Sequence, residues 1–170
     1  MVILETPRLI VRGFTLEDVP LAYKYSQEEC TKNELPDEVF DGIEGTKEKL
    51  LFLIENYKKN IYPLVYALEL RGICPNIGHV SLSTFGKNDE NIEVGYAIAT
   101  EYQGNGYASE VVRPFTEWAK RSLHLDKIYG EAKTTNIASW RILEKAGFQF
   151  IDEKVRNSFW GTYLTRMYIF

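Results

Sequence analysis

The apolar spacing predicts a mixed α/β (α+β) chain, with a mostly antiparallel central sheet, one parallel crossover in its middle and flanking helices. Three observations lead there. Strand-like alternation opens the chain and recurs as a meander over residues 62–99, with short turns between its runs. From Gly106 to Ala146 helical periodicity alternates with strand-like runs, the pattern of a parallel crossover. A last pair of strand-like runs closes the chain.

Taken in order, Ile3–Gly13 alternates as one strand. Thr15-Leu16-Glu17-Asp18 resembles a helix start, with Thr15 as cap and Asp18 three residues on, and that helix is expected to reach about Glu28. Cys30–Gly45 carries Pro36, Asp37, Asp41, Gly42 and Gly45 and reads as irregular. Thr46–Lys59 places Leu50, Leu51, Leu53, Ile54 and Tyr57 at helical spacing. Tyr62–Leu70, Ile77–Thr84 and Ile92–Ala99 form the meander. A turn at Arg71–Asn76 and a polar hairpin loop at Phe85–Asn91 join them. Gly106–Leu123 is a helix with Tyr107, Val111, Phe115, Trp118 and Leu123 on one side; Pro114 should kink it or remove a hydrogen bond. Lys127–Lys133 is a strand, and Asn136–Ala146 a helix closed by Gly147 at the C′ position. Phe148–Asp152 and Trp160–Ile169 make the final strand pair. With no linker, repeat or low-complexity stretch, residues 1–170 are expected to form a single domain.

Composition narrows the function. Hydrophobic residues at 45% and charged residues at 26% suit a folded globule. A net charge of -4 leaves no basic footprint and argues against a nucleic-acid partner. No apolar run approaches the roughly 20 residues that span a bilayer, and the start lacks a basic and an apolar leader region. Cys30 and Cys74 belong to no C-x-x-C pair and fit a reducing compartment, so a cytoplasmic protein is expected. Either a monomer or a homodimer fits the sequence, which does not choose between them. The two cysteines with His79 and His124 show no metal-ligand spacing, so no metal is expected, and both histidines read as structural. No G-x-S-x-G elbow is present. Glu28, Glu29 and the acidic run Glu34, Asp37, Glu38, Asp41 and Glu44 read as solvated charge, or as a loop that attracts a cationic amine. Trp140 and Trp160 read as packing.

The most informative stretch is Tyr102-Gln103-Gly104-Asn105-Gly106-Tyr107-Ala108, between a strand-like run and a helix. Glycines at a helix mouth uncover main-chain N–H groups, and the first unpaired donors of a helix form an anion seat with its positive dipole end. The loop is neither G-x-x-x-x-G-K-[S/T] nor G-x-G-x-x-G, and by itself could be a turn. A second helix opens at Asn136-Ile137-Ala138-Ser139, with Asn136 as cap and Ser139 at the third position. If the strands before these helices are parallel neighbours, both openings lie at one sheet end, where ligands of open α/β sheets bind.

These two motifs, Gln103–Ala108 and Asn136–Phe148, resemble the signature motifs of the GNAT superfamily of acyl-CoA N-acyltransferases. Ile77–Phe150 and the opening Glu5-Thr6-Pro7-Arg8-Leu9-Ile10-Val11-Arg12 are similar to its RimJ/RimL-like branch, the ribosomal-protein-alanine N-acetyltransferases. The resemblance covers nearly the whole chain and is weakest over 28–45 and 154–170. It implies a GNAT-like fold with a splayed parallel strand pair, acetyl-CoA as co-substrate and an amine acceptor, either a protein N-terminus or a small amine. The backbone of Gln103, Gly104, Asn105, Gly106, Tyr107 and Ala108 would then cradle the pyrophosphate, with Ser109 adding a hydroxyl. Tyr96, Ala97 and Ile98 would pair with the pantetheine arm, and Asn136 and Ser139 would face its thiol end. Strand alternation puts Glu93, Gly95, Ala97 and Ala99 on one face, which leaves room for a ligand chain or for a packed helix. Glu93 is the candidate base, with a substrate anchor or a solvated carboxylate as its other readings. N–H groups near Ile98 would meet the oxyanion. Many superfamily members place a tyrosine acid on the second helix; here that position is Leu143, so Ser139 is the candidate donor to the leaving thiolate, or else only a helix-opening residue. The function expected is direct acetyl transfer from acetyl-CoA to a primary amine, and the other reading is a non-catalytic coenzyme A-sensing or interaction module on the same fold.

Overall fold

The computed structural model describes residues 1–86, 88, 90–158 and 161–170. Eight strands form one sheet in the order β1-β2-β3-β4-β5-β6-β8-β7. They are β1 (Val2–Glu5), β2 (Leu9–Gly13), β3 (Leu64–Leu70), β4 (Gly78–Phe85), β5 (Asn91–Ile98), β6 (Tyr129–Lys133), β7 (Gln149–Ser158) and β8 (Gly161–Ile169). The helices are α1 (Val19–Ser26), α2 (Glu29–Glu34), α3 (Gly42–Lys59), α4 (Tyr107–Ser122) and α5 (Ile137–Ala146). The sheet is mostly antiparallel, and β5 pairs with β6 in parallel, as the alternation of strands and helices predicts. The chain divides into two compact units, Met1–Ser81 with Tyr96–Tyr107, and Leu82–Gly95 with Ala108–Phe170.

In the first unit the opening is two strands, not one. Pro7 has no N–H to give a ladder, and Thr6 instead ties the turn: its N–H donates to Leu9 O at 2.9 Å and its Oγ1 accepts from Leu9 N at 3.0 Å. β2 then pairs β3 antiparallel from Leu9↔Leu70 to Gly13↔Tyr66, burying Leu9, Val11, Leu68 and Leu70. Thr15 begins a 3-10 turn, Leu16–Asp18, and its N–H donates to Asp18 Oδ2 at 2.8 Å, half of the capping box read from the sequence. The helix after it ends at Ser26. The stretch read as irregular holds α2, a second 3-10 turn at Pro36–Glu38 and the start of α3. Pro36 ends α2 after six residues, too short a run for periodicity to register, and α3 begins on Gly42 and Gly45, which are poor helix formers. Phe14, Val19, Ala22, Tyr25, Leu50, Leu53, Ala67 and Ala99 close one core of this unit.

In the second unit α4 buries Ala108, Val111, Val112, Phe115, Thr116 and Ala119 and runs on through Pro114; Tyr107, Trp118 and Leu123 lie half-buried at its margin. His124 follows with φ 54°, in the left-handed region, a backbone role at a helix end. α5 is bounded as expected. Asn136 accepts from Ser139 N at 3.1 Å, and Gly147, at φ 100°, donates to Glu144 O at 3.0 Å. β7 reaches Ser158, well past the expected Asp152, pairing β8 in register through Ser158↔Gly161. Its far half, Glu153–Asn157, is mostly exposed, with Val155 its one apolar side chain, and carries no core period to read. Trp160 and the Asp37 side chain lie outside what is described.

Candidate active site

The first unit carries the glycine loop and the end of β5. Gly104 and Gly106 hold φ of 76° and 79°, backbone that side-chained residues rarely adopt. Gln103, Gly104, Asn105 and Gly106 are exposed and Tyr107 is half-buried. Three carbonyls of this stretch are taken. Asn105 Nδ2 donates to Tyr102 O at 3.1 Å and to Gln103 O at 3.0 Å, and Arg8 Nη1 donates to Asn105 O at 3.0 Å. Its amides are not: among the described residues, no protein acceptor takes the N–H of Gly104, Asn105, Gly106 or Tyr107. Exposed donors beside carbonyls that are already bonded form a positive surface just before α4. Arg8 adds a full charge there, its guanidinium 4.6 Å from the Tyr107 ring centroid.

The same unit joins the loop to β5. Gln103 Nε2 donates to Ile98 O at 2.8 Å. Glu28 Oε2 accepts from Thr100 N at 2.8 Å and from Thr100 Oγ1 at 2.7 Å, and Lys24 Nζ meets Glu101 Oε1 at 2.7 Å. Tyr96, Ala97 and Ile98 are half-buried. Gly78 makes this strand end possible, because a Cβ there would sit 2.1 Å from Ala97 O. Ala99, last of the small-residue face, is 7% exposed in the core with α1 and α3 residues, so at that position the packed helix holds.

Arg8 and Glu28 were not singled out by sequence reasoning as contacts of this loop. Arg8 lies 97 residues from Asn105, and Glu28 lies 72 from Thr100, so no local period reports either. The only sequence signal for Arg8 is its place in the opening stretch that resembles the RimJ/RimL-like branch. Glu28, read as solvated charge, is a clamp. Glu38 of the acidic run is also more than solvated: its Oε2 lies 3.2 Å from His79 Nε2, and Tyr25 OH lies 3.4 Å from His79 Nδ1. The His79 side chain is 5% exposed, and among the described residues its Nε2 makes no hydrogen bond.

The second unit carries Glu93, Ala108, Ser109, Asn136 and Ser139. The β5–β6 ladder is short, Glu93↔Tyr129 and Val94↔Gly130, while β6–β8 runs from Tyr129↔Ile169 to Lys133↔Thr165. Burial pushes the Glu93 carboxyl up to about 7, and the Glu131 charge adds to this while Arg156 opposes it. Arg156 Nε donates to Glu131 Oε1 at 2.7 Å, and its Nη2 bonds Glu131 Oε2. Asn136 and Ser139 are half-buried at the opening of α5, joined by the cap. Ala108 is buried and Ser109 half-buried in the first turn of α4. Leu143 is fully buried, and a Cβ on Gly130 would lie 2.7 Å from its Cδ2. It fills a site cut to its own shape and offers no proton. Among the described residues no group of three His, Cys, Asp or Glu could hold a metal ion, and no helix is long and apolar enough to cross a membrane.

The model of the acetyltransferase (GNAT) domain matches residues 8–149. The chain belongs to the GNAT acetyltransferase family. Its resemblance to known GNAT proteins extends along most of its length. It is 30% identical over 156 residues to the uncharacterized N-acetyltransferase YoaA of Bacillus subtilis (strain 168), covering 86% of this chain and 82% of that one. Two solved acetyltransferases share its fold. The RimL ribosomal-protein α-N-acetyltransferase in complex with coenzyme A superposes with a TM-score of 0.85 at 16% identity, covering 100% of this chain and 97% of that one. The ribosomal-protein-S5-alanine acetyltransferase from Vibrio fischeri superposes with a TM-score of 0.79 at 21% identity, covering 98% and 95%. This GNAT chain is therefore an acetyl-CoA-dependent acyltransferase by family.

Proposed function

We propose that this GNAT chain moves an acetyl group from acetyl-CoA directly to a primary amine, the α-amine of a protein N-terminus in preference to a small amine, and that residues 1–170 act as one catalytic domain. The observation that carries the cofactor half is the set of unclaimed amides at Gly104–Tyr107 beside Arg8. A diphosphate supplies the acceptors those donors lack. Gln103, Ala108 and Ser109 complete that cradle. The main chain of Tyr96, Ala97 and Ile98 pairs with the pantetheine arm, and Asn136 orients its thiol end. No metal enters the proposed reaction, and the two free thiols Cys30 and Cys74 support a cytoplasmic setting.

In the mechanism, Glu93 takes a proton from the acceptor ammonium, directly or through water, and leaves the nitrogen lone pair free. That pair attacks the thioester carbon, and N–H groups near Ile98 meet the oxyanion. Collapse breaks the C–S bond as the nitrogen loses its second proton, and Ser139 Oγ hydrogen-bonds the sulfur that gains one. A carboxyl at about 7 matches an α-ammonium, whose pKa is about 7.7–8.0, within roughly a factor of ten. A lysine-type ammonium at about 10.4 leaves a gap of more than a thousandfold. This match favours the N-terminal amine.

Calorimetry with acetyl-CoA tests the first half, and no binding at tens of micromolar would count against it. Thiol release measured over small amines and N-terminal peptides tests the second. Leu143, where many relatives carry a tyrosine acid, favours one other reading, a coenzyme A-binding module without turnover. Tight binding with no thiol release on any amine would select it.

A further inference from the structure

One sheet face in the second unit carries a line of charge. Glu93 on β5 is paired with Tyr129 on β6, and Glu131 stands two residues beyond Tyr129, so both carboxylates leave the same face. Glu131 is paired with Met167 on β8, and Arg156 of β7 with Tyr163 of β8, which again share that face. Arg156 reaches back across β8, its Nη2 3.9 Å from Met167 Sδ, to close a two-pronged contact on Glu131. The side chain of Glu131 is 14% exposed and that of Arg156 38%. A fork of this kind holds both Glu131 oxygens. From the fork to β5, the set is neutral while Glu93 carries its proton and negative once it does not.

We propose that Glu131 and Arg156 are positioning residues that set the proton affinity of Glu93, Glu131 by a fixed negative charge beside it and Arg156 by balancing that charge. The inference rests on the proposed role of Glu93 as base. It makes the site selective for a cation: an ammonium beside Glu93 restores neutrality, and the proton it gives up moves from nitrogen to a Glu93 oxygen while the lone pair stays on nitrogen. Among the described residues of β6, β7 and β8, the other titratable groups of this face are Tyr129, Lys133, Asp152, Lys154 and Tyr163. Asp152 and Lys154 are exposed, and Lys133 lies over the Tyr163 ring at 5.2 Å.

The test is a carbon-13 NMR titration of the Glu93 carboxyl in the ligand-free protein, with Glu93→Gln to assign the signal. Glu131→Gln should weaken proton binding at Glu93 by about tenfold, and Arg156→Gln should strengthen it by about the same factor. The acidic limb of kcat/KM, measured with acetyl-CoA and a peptide bearing an N-terminal alanine, should move the same way in each variant. A purely structural pair would lower activity in both and leave the titration in place, which would overturn the proposal. Shifts of the same sign would also overturn it. Should Glu131→Gln fail to fold by circular dichroism, the Arg156→Gln titration decides alone: stronger proton binding supports the proposal, and no change overturns it. The base role fails separately, if Glu93→Gln retains turnover, and the titration reads the coupling either way.

Discussion

At Glu93 a half-buried carboxyl sits beside a second carboxylate, and both effects disfavour its charge. The proposed base is therefore competent only above about pH 7, and activity should rise through that pH. Glu93→Gln should lower kcat/KM by about 10²–10⁴-fold and remove this limb, as read from a pH profile with saturating acetyl-CoA. Ser139 is proposed for the other end of the reaction. Ser139→Ala should lower kcat while leaving the acetyl-CoA affinity measured by calorimetry near its original value; the reverse pattern would make Ser139 a binding residue. Leu143 shows why one residue's identity can be legible while its consequence is not. Its lack of a hydroxyl is plain in the sequence, but that it is fully buried over Gly130, and so is packing, needed the neighbouring strand. Glu93 is similar: its place on a strand is readable, whereas Glu131 and Arg156 come to it from 38 and 63 positions away by sheet pairing.

The proposed unit of recognition is the strand-loop-helix element from β5 to α4. Its boundaries followed from alternation, two glycines and helical spacing, all local properties. What holds it came from elsewhere: Glu28 on Thr100, Lys24 on Glu101, and Arg8 on Asn105. Gly106→Asp should reduce acetyl-CoA affinity by at least about a hundredfold, ~2.8 kcal/mol, because a carboxylate would enter the anion seat. Calorimetry checks this, and unchanged affinity would remove the pyrophosphate from that loop. The misread elements share a physical cause. Pro7 splits one alternating run into a hairpin, α2 is shorter than two full turns, and the far half of β7 is an exposed edge whose pairing with β8 is not encoded in its own pattern.

For the whole molecule, the raised Glu93 links folding to pH. Its carboxyl is near 7 when folded against an ordinary value of 4.5, so its contribution to stability is fully present below about 4.5 and is lost as pH rises through 7. In denaturant unfolding between pH 4.5 and 7.5 the parent should lose of order 1–3 kcal/mol of stability relative to Glu93→Gln as the pH rises. A constant difference would place the Glu93 carboxyl at an ordinary value. What the sequence by itself determined is the order of most elements, the parallel crossover, the family, and the glycine loop and Asn136 cap, because turns, caps and periods act over a few residues and are written side by side. Only the tertiary structure decided that Arg8 stands beside the loop, that Glu28 clamps it, that Ala99 faces packed helices, and that Glu131 and Arg156 stand beside Glu93. Those contacts join residues far apart in the chain, and their strength depends on burial and on neighbouring charge, which exist only once the sheet has closed.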